Sequence, residues 1–119
     1  MKIAITSTGT TIDAMVDERF GRAKYFLVVN AETGDYRVED NSVNLTAIQG
    51  AGVQSAQRVA ELGVAWVLTG HVGPKAFRGL QAAGIKIGTG AAGTCRQTLE
   101  RFKKGDFTVS ARSDKPDHW

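Results

Sequence analysis

Apolar and polar positions switch between two periods along this chain. Lys2-Ile3-Ala4-Ile5-Thr6 reads as a buried strand, and Tyr25-Phe26-Leu27-Val28-Val29-Asn30 is a near-continuous apolar run of the kind found in a central strand. Between them, Ser7 to Lys24 shows no convincing period. Ala31-Glu32-Thr33-Gly34 has the length of a hairpin turn, with Gly34 free to take positive φ. Tyr36-Arg37-Val38-Glu39 then alternates as a half-exposed edge strand does. Past Asn41 the spacing becomes helical. From Gly52 to Leu62, apolar Val53, Ala56, Val59 and Ala60 recur while Gln57, Arg58 and Glu61 face water, and Gly63 stops the helix. Val64 to Leu68 is a buried strand. Pro74 opens a second helix whose Phe77, Leu80 and Ala83 share a face before Gly84 ends it. Ile85-Lys86-Ile87 is a short last strand. A third helix begins at Thr94, where Gln97 completes a capping-box pattern, and runs through Leu99 and Phe102.

An internal echo sets the topology. Leu62-Gly63-Val64 leads to Leu68-Thr69-Gly70, just as Ala83-Gly84-Ile85 leads to Gly88-Thr89-Gly90. Twice the chain ends a helix on glycine, runs a buried strand, leaves through Thr-Gly and starts another helix. Such alternation means parallel strands joined by right-handed crossovers. The predicted order is β-β-β-α-β-α-β-α, an α/β domain with a five-stranded mixed sheet in the spatial order 3-2-1-4-5 and helices on its faces. Residues 1–109 form one domain in this reading, and 110–119 read as a loose polar tail.

Composition narrows the class. A chain of 119 residues fits one domain. With fourteen glycines against two prolines, glycine is the informative residue. No apolar run approaches the roughly 18 residues of a membrane span, and Met1-Lys2-Ile3 leads straight into a strand pattern, so neither a membrane segment nor a secretory signal is expected. The single cysteine, Cys95, has no intrachain partner, which fits a reducing cytoplasm. A net charge of +3 without a basic run argues against nucleic acid and leaves a local basic site for a small anion.

In open α/β sheets ligands bind beyond the carboxyl ends of the parallel strands, where three loops gather here: 7–24, 69–74 and 88–94. The glycines before the first helix, Gly50 and Gly52, come from the other end of strand 3. Gly88-Thr89-Gly90-Ala91-Ala92-Gly93 matches G-x-G-x-x-G in form, but it lies in the last unit and no strand follows its helix, which argues against a dinucleotide site. What remains is a helix start that small residues leave open to an anion, or simply a tight turn. Cys95, in the first turn of that helix, has two readings. One is a thiol of lowered pKa able to ligate metal, the other a buried small hydrophobe. His71, between glycines in Thr69-Gly70-His71-Val72-Gly73-Pro74, is a candidate site residue, and His118 in the tail is background. Lys75 is a cation at a helix start, unusual unless an anion sits nearby. The first loop holds Asp13, Asp17, Glu18, Arg19, Arg22 and Lys24, with Phe20 expected to pin it to the core. Two-metal hydrolysis through Asp13 and Asp17 is disfavoured, because no carboxylate sits on strand 1 or strand 4. A small enzyme using His71 with Cys95 as nucleophile is a third class to weigh.

Lys2-Ile-Ala-Ile5, Phe20-Gly-Arg-Ala-Lys-Tyr-Phe26, Glu39-Asp-Asn41, Gln49-Gly-Ala-Gly52 and Thr69-Gly-His-Val-Gly-Pro74 together resemble the dinitrogenase iron–molybdenum cofactor biosynthesis family. Within it the chain looks most like the stand-alone orange proteins, which hold a mixed molybdenum–copper sulfide cluster without covalent attachment. The resemblance implies a ribonuclease-H-like mixed sheet. It also implies a non-enzymatic carrier of an anionic metal–sulfur cluster, with an iron–molybdenum–sulfur precursor as the alternative cargo. Arg22, Lys24, His71 and Lys75 fall in matching blocks, and a histidine contact in some family members favours His71. The implied binding set is Arg22, Lys24, Gly70, His71, Val72, Gly73, Lys75, Gly90, Ala91, Ala92, Gly93 and Thr94, with His71 and Cys95 as candidate metal ligands. The family does not share a cysteine at position 95, so thiolate ligation stays open there. The chain also lacks the C-x-x-C of a Cys₄ site. Expected partners are the cluster and proteins that transfer it or respond to it, with no nucleic acid or membrane, in a monomer or weak dimer. The competing class is a regulatory or scaffolding module with a vestigial anion site.

Overall fold

Alternation in the strands and helical spacing in the second half dictate a sheet with two apolar faces, each needing a cover. The computed structural model describes residues 1–41 and 51–113. Among them five strands form one mixed sheet, β1 (Lys2–Ser7), β2 (Tyr25–Asn30), β3 (Tyr36–Asp40), β4 (Trp66–Leu68) and β5 (Lys86–Gly88). Three helices accompany them, α1 (Ala51–Glu61), α2 (Pro74–Ala82) and α3 (Cys95–Lys103). The order across the sheet is β3-β2-β1-β4-β5, as the sequence predicts. β1, β2 and β3 pair antiparallel, whereas β4 runs parallel to β1 and β5 parallel to β4. Gln49, Gly50, His118 and the tail beyond Ser113 lie outside the described residues.

The pleat sorts the core into two clusters. Ala4, Phe26, Val28, Val67 and Ile87 face Val59 of α1 and Phe77 and Leu80 of α2. Ile3, Ile5, Leu27, Val29 and Leu68 face Leu99 and Cys95 of α3. Two expected helix positions are corrected. Ala60 and Ala83 are exposed, and the core contacts come from Leu62 and Ala76 instead, because the facing sheet sets which stripe of a short helix is covered. Gly63 (φ 72°) and Gly84 (φ 77°) end α1 and α2 in the left-handed region that side chains avoid.

The second face needs more than α3 to cover it, and the aperiodic first loop supplies the rest. Ile12 and Val16 are buried with the α3 cluster, while Phe20 and Ala23 are buried with the other. The loop therefore wraps around the end of β1. Past α3 the chain returns to the sheet, where Ser110 donates its N–H to Ile87 O (2.7 Å) and meets Thr89 through its hydroxyl (3.2 Å). Among the described residues no helix is long and apolar enough to cross a membrane.

Candidate functional site

β1, β4 and β5 end together, and backbone hydrogen bonds join the loops that leave them. His71 donates its N–H to Glu18 O (2.7 Å), and Phe20 donates to His71 O (3.1 Å), so Arg19 and His71 pair as a one-residue parallel bridge. Gly90 donates to Gly70 O (2.9 Å), Ala91 to Thr69 O (3.1 Å), and Val16 to Gly93 O (2.8 Å). The loops expected to meet do meet, and main-chain groups join them.

Beneath this mouth lies a polar floor. The Thr6 hydroxyl is bonded to Asp17 O (2.7 Å) and to Thr69 Oγ1 (2.9 Å), and both threonines are fully buried. Thr6 stands next to last on β1 and Thr69 just past β4, in matching Ile5-Thr6 and Leu68-Thr69 steps, and that match is the sequence signal that could have found them. Arg101 has no such signal, although its guanidinium holds Gly90 O (3.1 Å) and lies over the Phe107 ring at 4.4 Å. Arg22 follows Phe20 on a single 3₁₀ turn (Phe20–Arg22), which sets an exposed cation close to the His71 contact. Lys24 and Lys75 are exposed, His71 is half-buried, and Val72 is fully buried.

The two helix starts at this end differ. At α3, Thr94 and Gln97 form the expected capping box: Thr94 N–H donates to Gln97 Oε1 (2.9 Å) and Gln97 N–H to Thr94 Oγ1 (3.1 Å). Cys95 N–H donates to Ala14 O (2.9 Å) and Arg96 N–H to Ile12 O (2.7 Å). The expectation of unpaired N–H groups at this helix start is therefore corrected for residues 94–97, whose amides are spent on the first loop and the cap. The exposed Arg96–Asp13 pair (2.7 Å) adds a further tie, and it holds the Asp13 carboxyl below the usual range. At α2 the N-cap is Gly73, which contributes no side-chain cap; Pro74 follows, and the first turn holds no acidic residue. Neither an N-cap side chain nor a first-turn carboxylate therefore offsets the helix dipole at that end.

Cys95 is fully buried, and burial pushes its thiol above the ordinary range while a hydrogen bond with Ser7 pulls the other way. Of the two readings of Cys95, burial favours the small hydrophobe, because desolvation raises the thiol pKa more than the Ser7 hydrogen bond lowers it. Among the described residues no group of three or more His, Cys, Asp or Glu is gathered to hold a metal ion. A recess of about 180 Å³, lined by Lys2, Val28, Asn30, Asp35, Tyr36 and Arg37, lies at the far end of β1 and β2 from this mouth.

Asp17 titrates against its surroundings. Burial raises its carboxyl pKa, and the backbone N–H groups of Arg19 and Lys24 oppose that rise. A raised native pKa means the folded chain holds this proton more tightly than the unfolded one. The stability so conferred is present in acid and is lost as pH climbs from the ordinary aspartate value through the raised one. Asp17→Asn is therefore expected to be more resistant to urea than the parent at pH 7, with the gap closing at pH 3. A variant weaker than the parent at pH 7 would show that the carboxylate's bonds to the two amides outweigh its burial.

A small α/β domain that opens three stitched loops, one histidine and several cations at one sheet end is a binding domain in architecture. The chain belongs to the dinitrogenase iron-molybdenum cofactor family, whose sequence model matches residues 1–105. Its fold is similar to the apo form of the orange protein from Desulfovibrio gigas, with a TM-score of 0.93 and 46% sequence identity over 96% of both chains. A Thermotoga protein of the DUF35 family, solved by NMR, is similar at a TM-score of 0.79 and 29% identity, over 96% of this chain and 98% of that one. An uncharacterized protein of Methanocaldococcus jannaschii is 24% identical over 110 residues, 88% of this chain and 92% of that protein.

Proposed function

We propose that this chain is a non-enzymatic carrier of an anionic molybdenum-containing metal–sulfur cluster, held non-covalently at the strand-to-helix loops. The first choice of cargo is a molybdenum–copper sulfide cluster, and the alternative is an iron–molybdenum–sulfur precursor. The observation that carries the reading is the clamp on His71. Its N–H and C=O are bonded to Glu18 and Phe20, which sets the Arg22 turn beside the start of α2, where the N-cap is Gly73. Family membership and the 46% identity to the orange protein support the same reading.

The donor set fits cargo that brings its own ligands. Cys95 is buried with a raised pKa, and no three-residue ligand group is gathered among the described residues, so a bare metal ion finds no coordination shell there. A sulfide-rich cluster already has its ligands and is large, soft and negative. It needs cations, N–H donors and close backbone approach instead. Arg22, Lys24 and Lys75 would offset its charge, the His71 ring would donate to a sulfide, and Gly70 and Gly73 would let the main chain come near. Gly90, Ala91, Ala92, Gly93 and Thr94 would form the opposite wall, kept in place by Arg101. Cys95 would stay beneath that wall as packing.

The test is to mix apo-protein with tetrathiomolybdate and a copper salt, desalt, and read the absorption spectrum and metal content. Molybdenum is expected to stay with the protein in stoichiometric amount. Cys95→Ser should retain nearly as much, while His71→Ala combined with Lys75→Glu should retain far less. No protein-bound molybdenum after desalting would sink the carrier reading and favour the regulatory or scaffolding module with a vestigial anion site.

A further inference from the structure

We propose that Met15 is a contact residue of the mouth, and that its thioether side chain extends the Gly90–Thr94 wall as the soft, apolar surface against which a sulfide-rich cargo packs. The role rests on the carrier reading and falls to a residue outside the binding set expected from the sequence.

Five large apolar side chains are exposed among the described residues: Met1, Met15, Tyr36, Val38 and Val109. Of these, Met15 alone belongs to a loop that builds the mouth. Its backbone is held in place. The Met15 carbonyl accepts from the N–H and the hydroxyl of Thr8, both at 3.0 Å, and the residue pairs antiparallel with Thr94 as an isolated bridge. Its neighbours are tied to the same wall, Ala14 O by Cys95 N–H (2.9 Å) and Val16 N–H by Gly93 O (2.8 Å). Successive side chains of an extended chain point to opposite faces, and directly paired residues share a face. Val16 packs into the buried cluster under α3, so Met15 stands on the other face, beside the Thr94 side chain. There it is 53% exposed, on backbone that cannot turn it inward without breaking these bonds.

The wall itself offers little side chain, since Gly90, Ala91, Ala92 and Gly93 are all small and Cys95 is buried behind them. A thioether is long, unbranched and polarizable, and it adapts to irregular surfaces. Sulfide is polarizable as well, so the contact is one of dispersion and excluded water, with no bond to a metal. The cations would offset the charge of the cargo, and Met15 would cover sulfide that they leave bare. A carboxylate at the same place would repel the anion. The chain also supplies its own reference. It has two methionines, and Met1 is 54% exposed at the start of β1, the end of that strand away from the mouth.

The experiment is oxidation by hydrogen peroxide, read by peptide mass spectrometry on the apo-protein and on protein loaded with tetrathiomolybdate and a copper salt. Peroxide passes one oxygen atom to the thioether sulfur, giving the sulfoxide and water. In the apo-protein Met1 and Met15 should oxidise within about twofold of one another, because their exposures match. In the loaded protein Met15 should slow by at least about fivefold relative to Met1, whose rate corrects for peroxide consumed by the cargo's own sulfides. Molybdenum retained after desalting gives a second reading. Met15→Leu keeps the apolar contact and should load nearly as well as the parent. Met15→Glu should raise the cluster concentration needed for half-loading by at least about tenfold, with an unchanged urea midpoint because the side chain is exposed. Retained molybdenum with Met15 oxidised as fast as in the apo-protein, or a glutamate variant that loads like the parent, would overturn the contact and leave the carrier reading standing. Met15 would then be a surface methionine only. A parent that retains no molybdenum would overturn both.

Discussion

Phe20→Ala is expected to lower the unfolding free energy by about 3–5 kcal/mol, the range for truncating a fully buried aromatic residue. The ring is wholly buried, lies 5.8 Å from Phe26 at a 30° tilt, and packs in the cluster shared by β1, β4 and both helices of that face. A domain of this size is stable by only about 5–15 kcal/mol, so one side chain accounts for a large share. The consequence extends to the mouth, because Phe20 is the anchor of the turn that carries Arg22 and donates its own N–H to His71 O. Urea unfolding measures the stability, and molybdenum retained after desalting measures the site. Phe20→Leu should cost only about 1 kcal/mol and keep the turn in place. A loss under about 1 kcal/mol for the alanine variant would mean that the cavity collapses and the backbone bonds hold the loop alone.

Gly70→Ala is expected to cost about 2–3 kcal/mol, near the upper end for forcing one methyl into packed surroundings. A Cβ there would lie 2.7 Å from Glu18 O and 2.8 Å from Glu18 Cα. Both are backbone atoms, and neither can swing aside. Glu18 O is held by His71 N–H at 2.7 Å, and Gly70 O by Gly90 N–H at 2.9 Å, so the methyl pushes apart two of the contacts that stitch the mouth. Amide exchange gives the sharper readout. Protection at His71 and Phe20 should fall well before that of β1 and β2, and cluster retention should fall with it. Unchanged protection at both amides would show that the loops separate without cost and that the clamp is no constraint on the site.

The sequence alone determined what is written within one or two turns of chain. Strand periods, glycine stops at Gly63 and Gly84, Pro74 at a helix start and the Thr94–Gln97 box all act on near neighbours, so the order of elements and the parallel β4 and β5 were legible. The same locality explains the misplaced Ala60 and Ala83, since the buried stripe of a short helix depends on the surface that it meets. For the site, the sequence marked which loops gather and named His71, Arg22, Lys24 and Lys75 as candidates, because glycines and cations at strand ends are visible one by one. Three things only the tertiary structure decided. The first loop has no period because single bonds to His71, Gly93, Cys95 and Arg96 shape it, and each reaches far along the chain. Cys95 is a buried thiol with a raised pKa, because the first loop and the sheet remove the water that a helix start alone would leave. The first-turn amides of α3 are spent on Ile12 and Ala14, which lie far along the chain and which nothing near Thr94 announces. Burial and backbone pairing are sums over distant residues, and no local pattern contains them.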